Sequence, residues 1–203
     1  MRRSELIGKL ARIPSFPRPS ARLEQVATSP EAAAELLFTA ERLDGLGGRS
    51  VVDLGAGTGR LAIGAALLGA DPVVGVEVDP GAAESARAAA VTLGVEVELV
   101  VGEVSEFDRA ADLVMMNPPF GAQRRHADRP FFAAAFRLAR RSIYSFALEE
   151  SRTFIARHAV AHGAHVLETR PVRWELERTF PHHRRDRVGL AVDLWAISTG
   201  TRR

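Results

Sequence analysis

The chain has no cysteine, a single lysine and no apolar run long enough to cross a bilayer. The first absence excludes disulfides and thiolate metal centres. The last excludes a transmembrane helix, which needs about 20 consecutive apolar residues. An arginine-led N-terminus without a hydrophobic stretch is not a secretory signal, so the cytoplasm is the expected location. With lysine confined to Lys9, the positive charge is nearly all arginine, the residue suited to bidentate phosphate contacts. Arg is clustered, although the formal net charge is only +2, so the chain is not uniformly basic. Low-complexity tracts, internal repeats, a G-x-S-x-G elbow and a P-loop are also missing. His158 and His162 lie one helical turn apart, but the Glu of H-E-x-x-H is absent and no third ligand is evident. A solvated helix face is expected there, and no metal site.

What remains is 203 residues, 46% hydrophobic, enough for one domain with a substantial core. Residues 51–59 read as a buried strand running into a glycine-rich turn, with a helix starting near Arg60. Gly55 and Gly57 would let the backbone, including the amide of Ala56, approach a ligand closely, and Asp53 supplies a carboxylate at the strand's end. The loop is G-x-G-x-G rather than the G-x-G-x-x-G of dinucleotide sites. It suits a nucleoside with a charged amino-acid tail, whose ammonium Asp53 can pair with. A second strand, residues 73–77, ends at Glu77 and Val78, where α/β nucleoside sites place an acid for ribose hydroxyls. Asp79, next to Pro80, reads as a helix cap. A third strand, residues 95–101, ends at Gly102-Glu103-Val104. There Glu103 can accept from an adenine amine while the backbone at Val104 meets the ring.

Strands alternating with helices over residues 30–165 predict a parallel sheet with helices on both faces and ligands at the carboxyl ends of its strands. A short helix at residues 3–12 and a proline-containing arm precede a helix from Pro30 capped by Ser29. A strand at residues 142–146 and a helix at 149–162 follow. β-rich pieces at 172–176 and 188–197, joined by a basic loop, predict a C-terminal hairpin. Trp174 and Trp195, on those pieces, read as core or edge packing.

The most informative stretch is Asn117-Pro118-Pro119-Phe120, which follows an apolar run. A ring-conjugated amine is a poor nucleophile until its hydrogens are held out of line. The Asn117 oxygen and the Pro118 carbonyl could hold both, with Pro119 keeping the turn rigid and Phe120 offering a flat face to the base. Two basic clusters, Gln123-Arg124-Arg125-His126 and His182-His183-Arg184-Arg185-Asp186-Arg187, would flank this cleft. Arg124, Arg125, His183, Arg184, Arg185 and Arg187 are the expected phosphate contacts.

These residues form an ordered set. Leu23-Glu24-Gln25 with Thr28 and Pro30, residues 53–57 and 66–70, Asn117 to Gly121, Asp128 with Phe131, Tyr144-Ser145 and residues 192–194 together resemble the methyltransferase-like protein 5 family, of archaeal type. The similarity runs over about residues 16–197. It implies a class I methyltransferase fold of the α/β Rossmann-like kind: a mostly parallel seven-stranded sheet with helices on both faces and a C-terminal antiparallel hairpin. Residues 1–22 would be an N-terminal helix and arm and 23–203 the methyltransferase domain. The implied activity is transfer of a methyl group from S-adenosylmethionine to the N6 amine of adenosine in RNA, with small-subunit rRNA the substrate. Gln25 and Thr28 would fold over the cofactor, and residues 180–187 would line the RNA path. One departure is Val26, where the family commonly has Tyr near that Thr. N2-guanine methylation of RNA, glutamine N5-methylation of a protein and a non-catalytic assembly role stay open as alternatives. In such sheets the third strand is an edge, and relatives pair that side with a small zinc-binding activator, expected here along residues 95–101.

Overall fold

The computed structural model describes residues 1–121, 125–172, 174 and 190–200. The strands are β1 (Val51–Leu54), β2 (Val73–Glu77), β3 (Glu98–Val101), β4 (Ala111–Met116), β5 (Ala139–Leu148), β6 (His165–Val172) and β7 (Val192–Ser198). They form one seven-stranded sheet in the order β3-β2-β1-β4-β5-β7-β6. Neighbours from β3 to β5 are parallel, and β7 runs antiparallel to both β5 and β6. The mostly parallel sheet and the C-terminal hairpin are as expected.

The central strands are apolar at nearly every position because both faces are covered. Along β4 the side chains alternate: Leu113 and Met115 join one core cluster, and Val114 and Met116 join another. The first cluster is closed by α1 (Arg3–Leu10), α2 (Pro30–Asp44) and α3 (Arg60–Leu67), through Leu6, Leu10, Leu36, Leu37 and Ile63. The second is closed by α5 (Arg129–Leu138) and α6 (Arg152–Ala161), through Phe132, Phe136 and Ile155. The remaining helix, α4 (Pro80–Leu93), meets the sheet with alanines, including Ala83 and Ala86 against Leu99.

Helix starts are set locally. The Ser29 hydroxyl accepts from the Ala32 amide at 3.2 Å with Pro30 in the first turn. Asp79 Oδ1 accepts from the Gly81 amide at 2.8 Å ahead of Pro80. Both caps match the sequence reading, and each is worth about 1 kcal/mol.

Strand limits differ in four places, one being β7, which runs Val192–Ser198 against the expected 188–197, of which 188 and 189 lie outside the described residues. The strand expected at 95–101 begins at Glu98. Gly94 ends α4 in the left-handed conformation and the Val95 amide bonds back to the Ala90 carbonyl, so Val95 closes the helix. Val95 and Val97 pack on the core. The fifth strand is longer than the expected 142–146, because it pairs with β4 from Ala139 and with β7 to Leu148. The hairpin's first strand begins at His165 and includes Val172 of the expected 172–176, of which 173, 175 and 176 lie outside the described residues. Leu148, Val172 and Val192 are partners at one end of the described three-stranded unit. Pro171 is tolerated because β6 is an edge. Arg42, Arg170, Glu35 and Glu168 tie that edge to α2 in an ion-pair network.

Among the described residues no helix is long and apolar enough to cross a membrane. The sheet order reverses between β1 and β4, and the crevice outside their carboxyl ends is where such folds bind ligands.

Candidate active site

The turn after β1 takes left-handed backbone at Gly55 (φ 73°), Gly57 (φ 56°) and Gly59 (φ 91°). The Gly55 and Ala56 amides both donate to the Val76 carbonyl at 2.9 Å, folding the loop over β2. Two aromatic side chains that also line the cavity approach it closely. A Cβ on Gly55 would sit 2.8 Å from Phe131 Cε1, and one on Gly57 would sit 2.8 Å from Phe16 Cζ. Glycine is required here for conformation and for space.

Asp53 is 1% exposed. Its Oδ2 accepts from the Ala62 amide at 3.0 Å, in the first turn of α3, while Oδ1 is buried without a partner. Burial pushes its pKa up to about 7; the Ala62 bond opposes the rise and repulsion from Glu77 adds to it. An ionised Asp53 is therefore an unsatisfied anion until a cation arrives.

Glu77 lies at the end of β2 and is also buried, which raises its pKa. Its Oε2 accepts from the Gly57 amide at 2.7 Å and its Oε1 from the Asp79 amide at 2.9 Å. Glu77 thus fixes the glycine loop as well as facing the cavity. Asp79 caps α4 and accepts from Gln25 Nε2 at 2.8 Å, a bond that lowers its pKa. Glu103 is exposed at the cavity rim and Val104 is buried beneath it.

Asn117 follows the last residue of β4. Its Nδ2 donates to Thr28 Oγ1 at 2.9 Å, and its Oδ1 is buried without a partner. At the other end of the turn the Gly121 amide donates to Glu24 Oε2 at 2.9 Å. Phe120 is half-buried and meets Trp174 edge to face at 5.4 Å, with Phe146 behind Trp174 at 5.0 Å. Trp174 therefore packs in the core, as expected, and also backs the Phe120 ring.

A cavity of about 820 Å³ gathers most of the expected residues. Gln25, Thr28, Asp53, Gly55, Ala56, Gly57, Glu77, Val78, Glu103, Val104, Asn117 and Pro119 all line it. Pro118 and Phe120, expected in the same site, are not among the residues that line it. Arg125 is exposed. Arg124, His183, Arg184, Arg185 and Arg187 lie outside the described residues. Sequence reasoning did not assign the lining residues Phe16, Arg22, Arg60, Leu61, Ala127 and Phe131 to the site. Arg60 spans the arm, donating to the Thr28 carbonyl at 2.7 Å and the Ile13 carbonyl at 3.0 Å. No local pattern signals such long-range contacts, although Phe131 stood among the residues of the resemblance. His158 stacks on Phe154 of α6, and His162 stacks on Phe136 of α5.

The methyltransferase small domain family matches residues 28–142. The rRNA N(6)-adenosine-methyltransferase Mettl5 of Drosophila melanogaster is 32% identical over 197 residues, covering 93% of this chain and 92% of its own length. The enzyme of that name from Danio rerio is 30% identical, covering 95% and 97%. The chain belongs to the methyltransferase-like protein 5 family. A crystal structure from Pyrococcus horikoshii, described as a candidate RNA methyltransferase, shares 40% identity and covers 98% of each chain with a TM-score of 0.89. The fold is that of class I methyltransferases, and methyltransferases of this family use S-adenosylmethionine. The residues present fit that cofactor: a left-handed glycine turn along the cavity wall, and a buried carboxylate oxygen of Asp53 left without a partner.

Proposed function

We propose that the chain methylates the N6 amine of an adenosine in ribosomal RNA. The observation that carries this reading is the buried Asn117 oxygen, left without a partner among the described residues beside a cavity where Asp53 Oδ1 is likewise a buried acceptor without one. One site asks for a cation, the other for an N–H donor. S-adenosylmethionine would supply the methyl group on a sulfonium, and an exocyclic amine would supply the N–H. Relatives named rRNA N6-adenosine-methyltransferases that align over nine-tenths of both chains support adenine as the base.

In this reading Asp53 pairs with the cofactor's ammonium, Glu77 accepts from its ribose, and Glu103 with the Val104 backbone meets its adenine. Gly55, Ala56 and Gly57 allow close approach, and Gln25 holds the arm over Asp79. Asn117 and the Pro118 carbonyl accept from the target amine and aim its lone pair, so positioning does most of the catalytic work. No strong base is required, because the alkylated amine is acidic and loses its proton to water. A target base already single-stranded, or extruded from its stack, would rest against Phe120, a contact worth about 1 to 3 kcal/mol. Trp174 stiffens that ring. Arg124, Arg125, His183, Arg184, Arg185 and Arg187 are the proposed phosphate contacts, which position RNA without reading it.

The test is mass spectrometry of rRNA nucleosides from a strain lacking the gene, before and after adding purified protein and S-adenosylmethionine. N6-methyladenosine should appear only after addition. N2-methylguanosine instead, or methylglutamine in ribosomal protein, would replace this reading, and no product despite cofactor binding would point to an assembly role.

We also propose a small zinc-binding activator subunit on the β3 edge. An open edge with half-exposed Val101 supports this, over the shorter span 98–101. Light scattering of the chain alone and with a co-expressed activator tests it. A monomer whose activity is indifferent to the activator would refute it.

A further inference from the structure

We propose that Thr28 is a positioning residue for the Asn117 side chain, and that its hydroxyl serves the amine-accepting site rather than the cofactor. This rests on the amine-orienting role of Asn117 proposed above. An Asn amide has two chemically opposite ends, and only the oxygen can accept from an amine. Thr28 Oγ1 takes the nitrogen end at 2.9 Å, which leaves Oδ1 buried and open. Were the amide reversed, two N–H groups would face the incoming amine and repel it.

Thr28 is itself held. It is 9% exposed, and its carbonyl accepts from Arg60 Nη1 at 2.7 Å. The same segment grips the far end of the turn, where Glu24, in left-handed backbone (φ 50°), accepts from the Gly121 amide. Between them Gln25 bonds Asp79 next to Glu77. The arm thus ties the tetrapeptide to the cofactor side of the cavity, across a chain separation that no local pattern could bridge. Accepting from Asn117 uses one lone pair of the hydroxyl and leaves its O–H as a donor, so the split between transfer rate and cofactor affinity is what distinguishes the two roles.

The variants are Thr28→Val, nearly isosteric but without the acceptor, Thr28→Ser, which keeps it, and Asn117→Ala. Single-turnover rates on unmethylated rRNA at saturating S-adenosylmethionine are compared with cofactor Kd from calorimetry. Thr28→Val should slow transfer about ten- to a hundredfold, the range for small misplacements of a catalytic group, while Kd stays within about threefold. Thr28→Ser should transfer within about threefold of the wild-type rate. In 15N spectra the Asn117 side-chain amide should move in the Val variant and stay in the Ser variant. A tenfold weaker Kd with an unchanged saturated rate would make Thr28 a cofactor ligand and overturn the proposal. A wild-type rate for Thr28→Val beside an inactive Asn117→Ala would overturn it alone. Near-normal turnover by Asn117→Ala would remove the underlying role of Asn117 as well.

Discussion

Replacing Asp53 by Asn should make the unliganded protein more stable at neutral pH and its cofactor complex weaker. The folded carboxyl titrates near 7 instead of its ordinary 3.8 because it is buried with one oxygen unpartnered. Between those values the folded state keeps a proton that the unfolded state has lost, so stability falls as pH rises through this window and is level outside it. At 1.36 kcal/mol per tenfold change in acidity, the penalty is about 4 kcal/mol once pH exceeds 7. Asn preserves the acceptor for the Ala62 amide and carries no charge. Its melting temperature should therefore exceed the wild type's by several degrees at pH 8, with the difference gone below about pH 4. Binding moves oppositely. An ammonium needs the ionised carboxylate, so wild-type affinity for S-adenosylmethionine should rise up to about tenfold per pH unit towards pH 7, with proton release on binding. The Asn variant should show no such slope and should lose about 1.5 to 3 kcal/mol of affinity above pH 7. Calorimetric titrations from pH 5.5 to 7.5, in buffers of different ionisation enthalpy, with thermal melts from pH 4 to 8, measure both halves. A variant that is less stable at pH 8 and binds as well as wild type would make Asp53 a structural brace for α3 and refute the reasoning.

Asn117→Ala should abolish transfer while calorimetric affinity for S-adenosylmethionine stays within a few fold, because it removes an acceptor for the substrate. Gly57→Ala forces a Cβ into left-handed backbone and onto Phe16. It should cost about 1 to 2 kcal/mol in urea unfolding and weaken cofactor binding by tenfold or more. Tyr144→Phe removes the bond from the buried ring to Asp44 Oδ2 at 2.6 Å. It should lower stability by about 1.5 to 3 kcal/mol yet leave cofactor affinity unchanged, separating scaffold from site. Charge reversal at Arg125 together with Arg124 should flatten the salt dependence of RNA binding by about one unit of slope per lost phosphate contact, read from filter binding across a salt series.

Local chemistry made much of this protein legible. Ser29-Pro30 and Asp79-Pro80 announce helix starts because a cap needs only its own next few residues. The glycine turn after β1 could be read because left-handed backbone excludes most side chains, and the acids at the strand ends because parallel strands deliver them to one edge. Asn117 stood out through its two prolines. The outer strands were placed less well, since their limits depend on partners: β3 begins where Val95 and Val97 leave the helix end for the core, and β6 where β7 is available to pair.

The sequence by itself determined the order of elements, the ligand-facing edge of the sheet, and the residue types that could hold a nucleoside and an amine. Those follow from short-range sterics, capping and alternation. Only the tertiary structure decided how the site is completed. Burial of Asp53 beside Glu77 sets its charge; Phe16 and Phe131 close on the glycines; Trp174 backs Phe120; and Thr28, distant in the chain, orients Asn117. Each depends on residues brought together by the sheet order, and desolvation and packing have no counterpart in a linear pattern.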